Sequence, residues 1–225
     1  NGAGSANTAG SINSTVSASA TSGFSIVSYT GTGSLATVGH GLGVAPAMII
    51  IKNRSTTNGW EVYHQSLGNT KYMQLHTTSA EGTSATRWNN TSPTSTVFTV
   101  NTEGGVNSSG GNLIAYCFSE VKGYSKFSSY TGNGNADGTF VYLGFKPAFV
   151  MLKNTTTAAS WLMYDNKRLG YNVDNNELVA NTSAAEETYD QIDILSNGFK
   201  MRANGTSTNK SGDTFIYMAF AEAPL

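Results

Sequence analysis

A duplication constrains this chain more than any other feature. The stretch Gly43-Val44-Ala45-Pro46-Ala47-Met48-Ile49-Ile50-Ile51-Lys52-Asn53 has a twin in Gly144-Phe145-Lys146-Pro147-Ala148-Phe149-Val150-Met151-Leu152-Lys153-Asn154. Sliding the chain against itself by 101 residues aligns Tyr29-Thr30-Gly31 with Tyr130-Thr131-Gly132, Pro46 with Pro147, Lys52 with Lys153, Trp60 with Trp161 and Phe98 with Phe199. A match of that length is not chance, so the chain is two copies of one module. Each twin reads as a Pro-initiated strand, an apolar run too short to span a membrane and closed by a Lys-Asn pair that opens a polar loop.

The runs around this strand are also short. In the first copy they are 24–29, 35–38, 60–63, 72–76, 97–100 and 113–120. The second copy repeats the order with 126–130, 139–143, 160–164, 177–180, 191–195, 198–202 and 214–222. Residues 183–189 are the one helical candidate. Short strands separated by Gly and Asn turns predict an all-β fold: two tandem homologous antiparallel β-sandwich modules of jelly-roll-like build. The modules are expected over 23–122 and 123–225, with 1–22 ahead of them as a linker or extended arm. That segment has only Ile12 and Val16 as sizeable apolar groups and no partner in the second copy. An arm packed on a neighbouring subunit is the sharper form of this expectation.

Composition narrows the function. Charged residues make up 12% of the 225, whereas Gly alone supplies 25 residues, and Ser, Thr and Asn together account for about a third of the chain. Thirteen Lys and Arg against fourteen Asp and Glu give a net charge of −1. No basic cluster is present to displace counterions from a phosphate backbone, so nucleic acid is not an expected partner. No apolar run reaches the length of a membrane span, and no signal-peptide pattern opens the chain. A start at Asn1 rather than Met is expected of a fragment or a processed piece of something longer. Cys117 is the single cysteine, and its counterpart is Ala219, which suits a small buried strand residue better than a reactive thiol.

No set of residues points to catalysis. His40, His64 and His76 lack zinc-ligand spacing. Asn133-Gly134-Asn135-Ala136-Asp137-Gly138 opens like a calcium loop, but Gly144 stands where the bidentate Glu belongs, so a turn is expected there and no cofactor or metal. Acidic pairs suited to glycoside hydrolysis are not evident, and the chain is not expected to be an enzyme. Trp60 with Tyr63, and Trp161 with Tyr164, are the candidate ligand-binding residues, since an exposed indole stacks on a sugar ring. Their recurrence in both copies, followed by Val62 and Met163 at alternate positions, favours the other reading, in which they pack the core.

Several longer phrases carry a family resemblance. They are residues 123–138, 143–153 and 192–202, the ending Tyr217-Met218-Ala219-Phe220-Ala221-Glu222, and the junction at 114–123. These resemble a repeat of virion proteins from marine tailed bacteriophages, the cyanophage and pelagiphage kind, and the resemblance covers nearly everything after about Gly23. It implies a structural or host-recognition role on the exterior of the particle, in a tail fibre, appendage or receptor-binding module, and it transfers no catalytic residue. The implied partners are other virion proteins, further copies in a homotrimer, and a host-surface glycan. The alternative is a carbohydrate-binding module of a bacterial secreted or surface protein, in which case the chain is extracellular.

Overall fold

The computed structural model describes residues 2–168, 172 and 176–222. It is an all-β antiparallel sandwich fold in two compact units, one formed by 1–74 with 81–120 and the other by Leu75–Ala80 with Val121–Leu225.

The strands of the first unit are β1 (Ser5–Asn7), β2 (Ser14–Ser19), β3 (Phe24–Thr30), β4 (Ala36–Gly39), β5 (Met48–Asn53), β6 (Trp60–His64), β7 (Lys71–Gln74), β8 (Gly82–Thr83), β9 (Val97–Val100) and β10 (Asn112–Phe118). Its large sheet has the order β1-β2-β3-β10-β5-β6-β7-β8, and β4-β9 forms the small one. Between them lie Val27, Tyr29, Ile49, Ile51, Tyr63, Leu113, Ala115 and Cys117 from the large sheet against Val38, Phe98 and Val100 from the small one. On the opposite face of the large sheet Met48, Ile50, Val62 and Met73 are buried as well. Burial on both faces is why Met48 to Ile51 reads as an unbroken apolar run rather than an alternating one.

The second unit uses β11 (Ser125–Thr131), β12 (Phe140–Tyr142), β13 (Phe149–Asn154), β14 (Trp161–Asp165), β15 (Asn176–Val179), β16 (Glu187–Thr188), β17 (Ile192–Leu195), β18 (Gly198–Met201) and β19 (Thr214–Phe220). Its sheets run β11-β19-β13-β14-β15-β16 and β12-β18-β17. The large-sheet order is that of the first unit without β1 and β2. The third strand of the small sheet, β17, has no strand counterpart in the first unit. The helix α1 (Ala85–Trp88) occupies that part of the chain order, capped by Ser84, whose hydroxyl accepts from Thr86 N.

Sequence identity between the copies marks shared hydrogen bonds. The Tyr29 phenol donates to the Val106 carbonyl at 2.6 Å and the Tyr130 phenol to the Thr208 carbonyl at 2.5 Å. Asn53 donates to the Gly104 carbonyl and Asn154 to the Thr206 carbonyl. Gly follows Tyr-Thr in both copies because a Cβ would meet the Ser108 carbonyl oxygen at 2.2 Å from Gly31, and that of Lys210 at 2.3 Å from Gly132. Gly43 and Gly144 both turn at positive φ, 77° and 82°, three residues ahead of the prolines.

Two expectations are corrected. Residues 1–22 are neither linker nor arm: β2 pairs along the whole of β3, β1 pairs with β2, and Ile12 and Val16 are buried in the first core. The cause is a period-two pattern, with Ile12, Ser14 and Val16 inward and their neighbours exposed, laid along an edge that β11 leaves open in the second copy. Residues 183–189 are not helical, and contain β16. Among the described residues the helices are α1 and α2 (Gly104–Asn107), both single turns in the first unit.

Candidate functional site

The four aromatics chosen from the sequence do not share one environment. Trp161 is 2% exposed, Tyr164 1% and Tyr63 5%, so none of the three offers a ring face to a ligand. Tyr63 packs edge-on against Trp88, and burial raises its pKa. The Tyr164 phenol donates to Glu177 Oε2 at 2.5 Å; burial comes first among the causes that push the phenol pKa up, and it raises that of the carboxyl too. Trp60 differs. It is half-buried, stacked with Tyr116 at 6.3 Å between centroids, with the Lys52 ammonium 6.0 Å from its ring centroid.

The two tryptophans hold matching places in their sheets. Each lies in a cross-strand row on the face of its large sheet turned away from the core: Ser28, Ile114, Lys52 and Trp60 in the first unit, and Ser129, Ile216, Lys153 and Trp161 in the second. In the second unit the segment Leu75–Ala80 packs on this row. The Thr78 carbonyl accepts from Lys153 Nζ at 3.2 Å and from Ala159 N at 2.8 Å. Lys153, Trp161 and Ile216 are all buried.

In the first unit the row continues outward over the strands the second unit lacks, from Ser28 to Thr15 to Ala6. Beside it runs a second row in which Thr30 faces Asn112, and Arg54 N donates to the Asn112 carbonyl. The side chains of these rows are mostly short, and between them lies a groove of about 510 Å³. That volume falls within the range of ligand sites. Besides Ser55, whose hydroxyl accepts from Asn112 N, its polar rim is Asn13, Thr15, Ser28, Thr30, Arg54 and Asn112, all exposed. Among the described residues none of these six side chains makes a hydrogen bond or ion pair within the chain. Arg87, Arg168 and Arg202 each pair with a carboxylate, and Arg54 does not. No Asp or Glu lines the groove.

The remaining candidates are taken up by structure. His40 is fully buried; its Nδ1 accepts from Leu42 N, which assigns the proton to Nε2, directed at the Thr94 carbonyl. Desolvation lowers its pKa. In the calcium-like loop the oxygens point inward onto the backbone: Asn133 Oδ1 accepts from Asn135 N and Asn209 Nδ2, and Asn135 Oδ1 from Asp137 N, while Asp137 pairs with Lys200. Among the described residues no three His, Cys, Asp or Glu side chains gather as a metal site would require. Among the described residues no helix is long and apolar enough to cross a membrane.

Residues 1–224 match a family described as a domain of unknown function, DUF7483. The chain belongs to it. The family match spans both copies together with β1 and β2, so the family's unit is the pair with its N-terminal strands and not the single repeat. No curated protein and no solved structure is similar to the chain.

Proposed function

We propose that the chain is a non-catalytic host-recognition component of the exterior of a phage particle, a tail fibre, appendage or receptor-binding module held with other virion proteins and assembled as a homotrimer. The observation that carries this reading is the groove of the first unit. A duplicated fold keeps in both copies what folding requires, yet Arg54, in whose place the second copy has Thr155, and β1 and β2, two of the four strands that line the groove, have no counterpart there. Ile12 and Val16 give this N-terminal segment a place in the core, but the exposed Arg54 has no such role and is the part of the groove that folding does not require. The phrases shared with marine-phage virion repeats support the setting, and a low-charge Ser, Thr, Asn and Gly surface suits a protein displayed in bulk without sticking. Because 5–19 are used within the first unit, trimer contacts in this reading come from other surfaces.

Antibody raised against the chain should decorate phage particles that carry the gene and block their adsorption. Particles free of the protein would overturn the reading. The second reading, a carbohydrate-binding module of a bacterial secreted or surface protein, draws on the half-exposed Trp60 and its stack on Tyr116. It is favoured if the protein is found in the medium or on the cell and not in particles.

A further inference from the structure

We infer that the groove of the first unit binds an anionic saccharide, with Arg54 taking the acidic group. This rests on the recognition reading for its biological setting, but the geometry is its own. Thr15, Ser28 and Thr30 bring three hydroxyls and Asn13 and Asn112 two carboxamides, each with donor and acceptor capacity that the chain leaves unused. The backbone of Thr15, Ser28, Thr30 and Asn112 is fixed by the ladders β2–β3 and β3–β10, with Asn13 directly before β2, so most of the array is set before a ligand arrives. A ligand suited to it carries a dense and rigid set of hydroxyls and gains little from apolar contact, since the apolar residues of the lining are the small Ala6 and the buried parts of Tyr29 and Leu113. A peptide or lipid lacks that match, and a pyranose has it.

The charge selects among saccharides. Arg54 is a planar five-donor group with no partner, in a groove with no acid, and an oxyanion with two oxygens in one plane meets it through paired hydrogen bonds. A carboxylate on a uronic acid and a sulfate ester on a sugar share this chemistry. A polynucleotide needs several cations in line, and the groove offers one.

The test is calorimetric titration of the purified chain with tetragalacturonate, with its neutral methyl ester, with a sulfated carrageenan tetrasaccharide and with inorganic sulfate. At least one of the two acidic saccharides should bind, and whichever does identifies the anion as carboxylate or sulfate. Arg54→Gln should weaken it tenfold or more, Ser28→Trp should block the groove, and Arg202→Gln, in the other unit, should bind as the parent does. Arg54 is exposed and unpaired, so its replacement leaves folding intact, which a melting curve checks. The inference is overturned if neither acidic saccharide binds, if the methyl ester or inorganic sulfate binds as tightly, or if Arg54→Gln leaves binding unchanged. Particle decoration and titration are independent, so a failure of one is not mistaken for a failure of the other.

Discussion

Arg87 Nε donates to Glu61 Oε2 at 2.7 Å inside the first unit, with side chains 10% and 3% exposed. The Tyr72 ring lies under the guanidinium at 3.4 Å, and Gln74 donates to the other carboxylate oxygen. Leu162 stands in place of Glu61 in the second unit, so the fold accepts an apolar residue at this point. Glu61→Leu alone should cost about 3 kcal/mol, because it leaves the buried guanidinium with Glu103, 3.9 Å away and more exposed, as its remaining carboxylate. Adding Arg87→Met should recover most of the loss. Urea denaturation of the two variants checks both statements, and a double variant no better than the single one would refute the second.

Lys153 is fully buried, its ammonium held by two carbonyls and no carboxylate, and desolvation brings its pKa from 10.5 down to about 8. The folded state therefore sheds this proton before the unfolded state does. Stability of the second unit should rise as the pH climbs from about 8 towards 10.5, by up to ~3 kcal/mol, and the gain is absent below 8. Lys153→Met should be the more stable protein at pH 7 and should lack this rise. Denaturation midpoints at pH 7 and 9.5, compared between parent and variant, decide it. Using the difference cancels the buried phenols Tyr130 and Tyr164, whose raised pKa values remove stability above pH 10.

Trp161→Ala should destabilise by roughly 3–5 kcal/mol. Trp60→Ala, at the equivalent but half-exposed position, should cost about 1–2 kcal/mol. Equal losses in melting experiments would mean that the deeper burial of Trp161 has no energetic weight.

Cys117 lies fully buried in β10, and desolvation lifts its thiol to about 12. Ellman's reagent should not react with it in the native protein at pH 8 and should titrate one thiol in guanidinium. Cys117→Ala should cost only about 1 kcal/mol, as Ala219 already fills the same place in the second copy.

The self-alignment made the strands legible because each copy supplied a control on the other: Pro46 and Pro147 do precede matching strands, β5 and β13. The N-terminal strands escaped because nothing in the second copy answers to them, and because β2 gains its place from an open sheet edge that no local pattern announces. Identical spacing could not foretell that Trp60 and Trp161 would differ in burial. The segment that packs on Lys153 in the same row, through Thr78, lies some seventy-five residues before it, and packing between distant parts of a chain leaves no trace in either sequence neighbourhood. Arg54 was legible in part. It faces Thr155 in the alignment, but the residues around it are the Ser, Thr and Asn that occur everywhere in this chain.

The path of Leu75–Ala80 sets a rule for dividing the molecule. A fragment of residues 121–225 would carry the described strands of the second sandwich and still be incomplete, with the Lys153 ammonium and the Ala159 amide stripped of the Thr78 carbonyl. Duplication produced two copies in sequence, but the loop after β7 now serves the later copy. What began as two interchangeable repeats can no longer be reordered, trimmed or inherited singly.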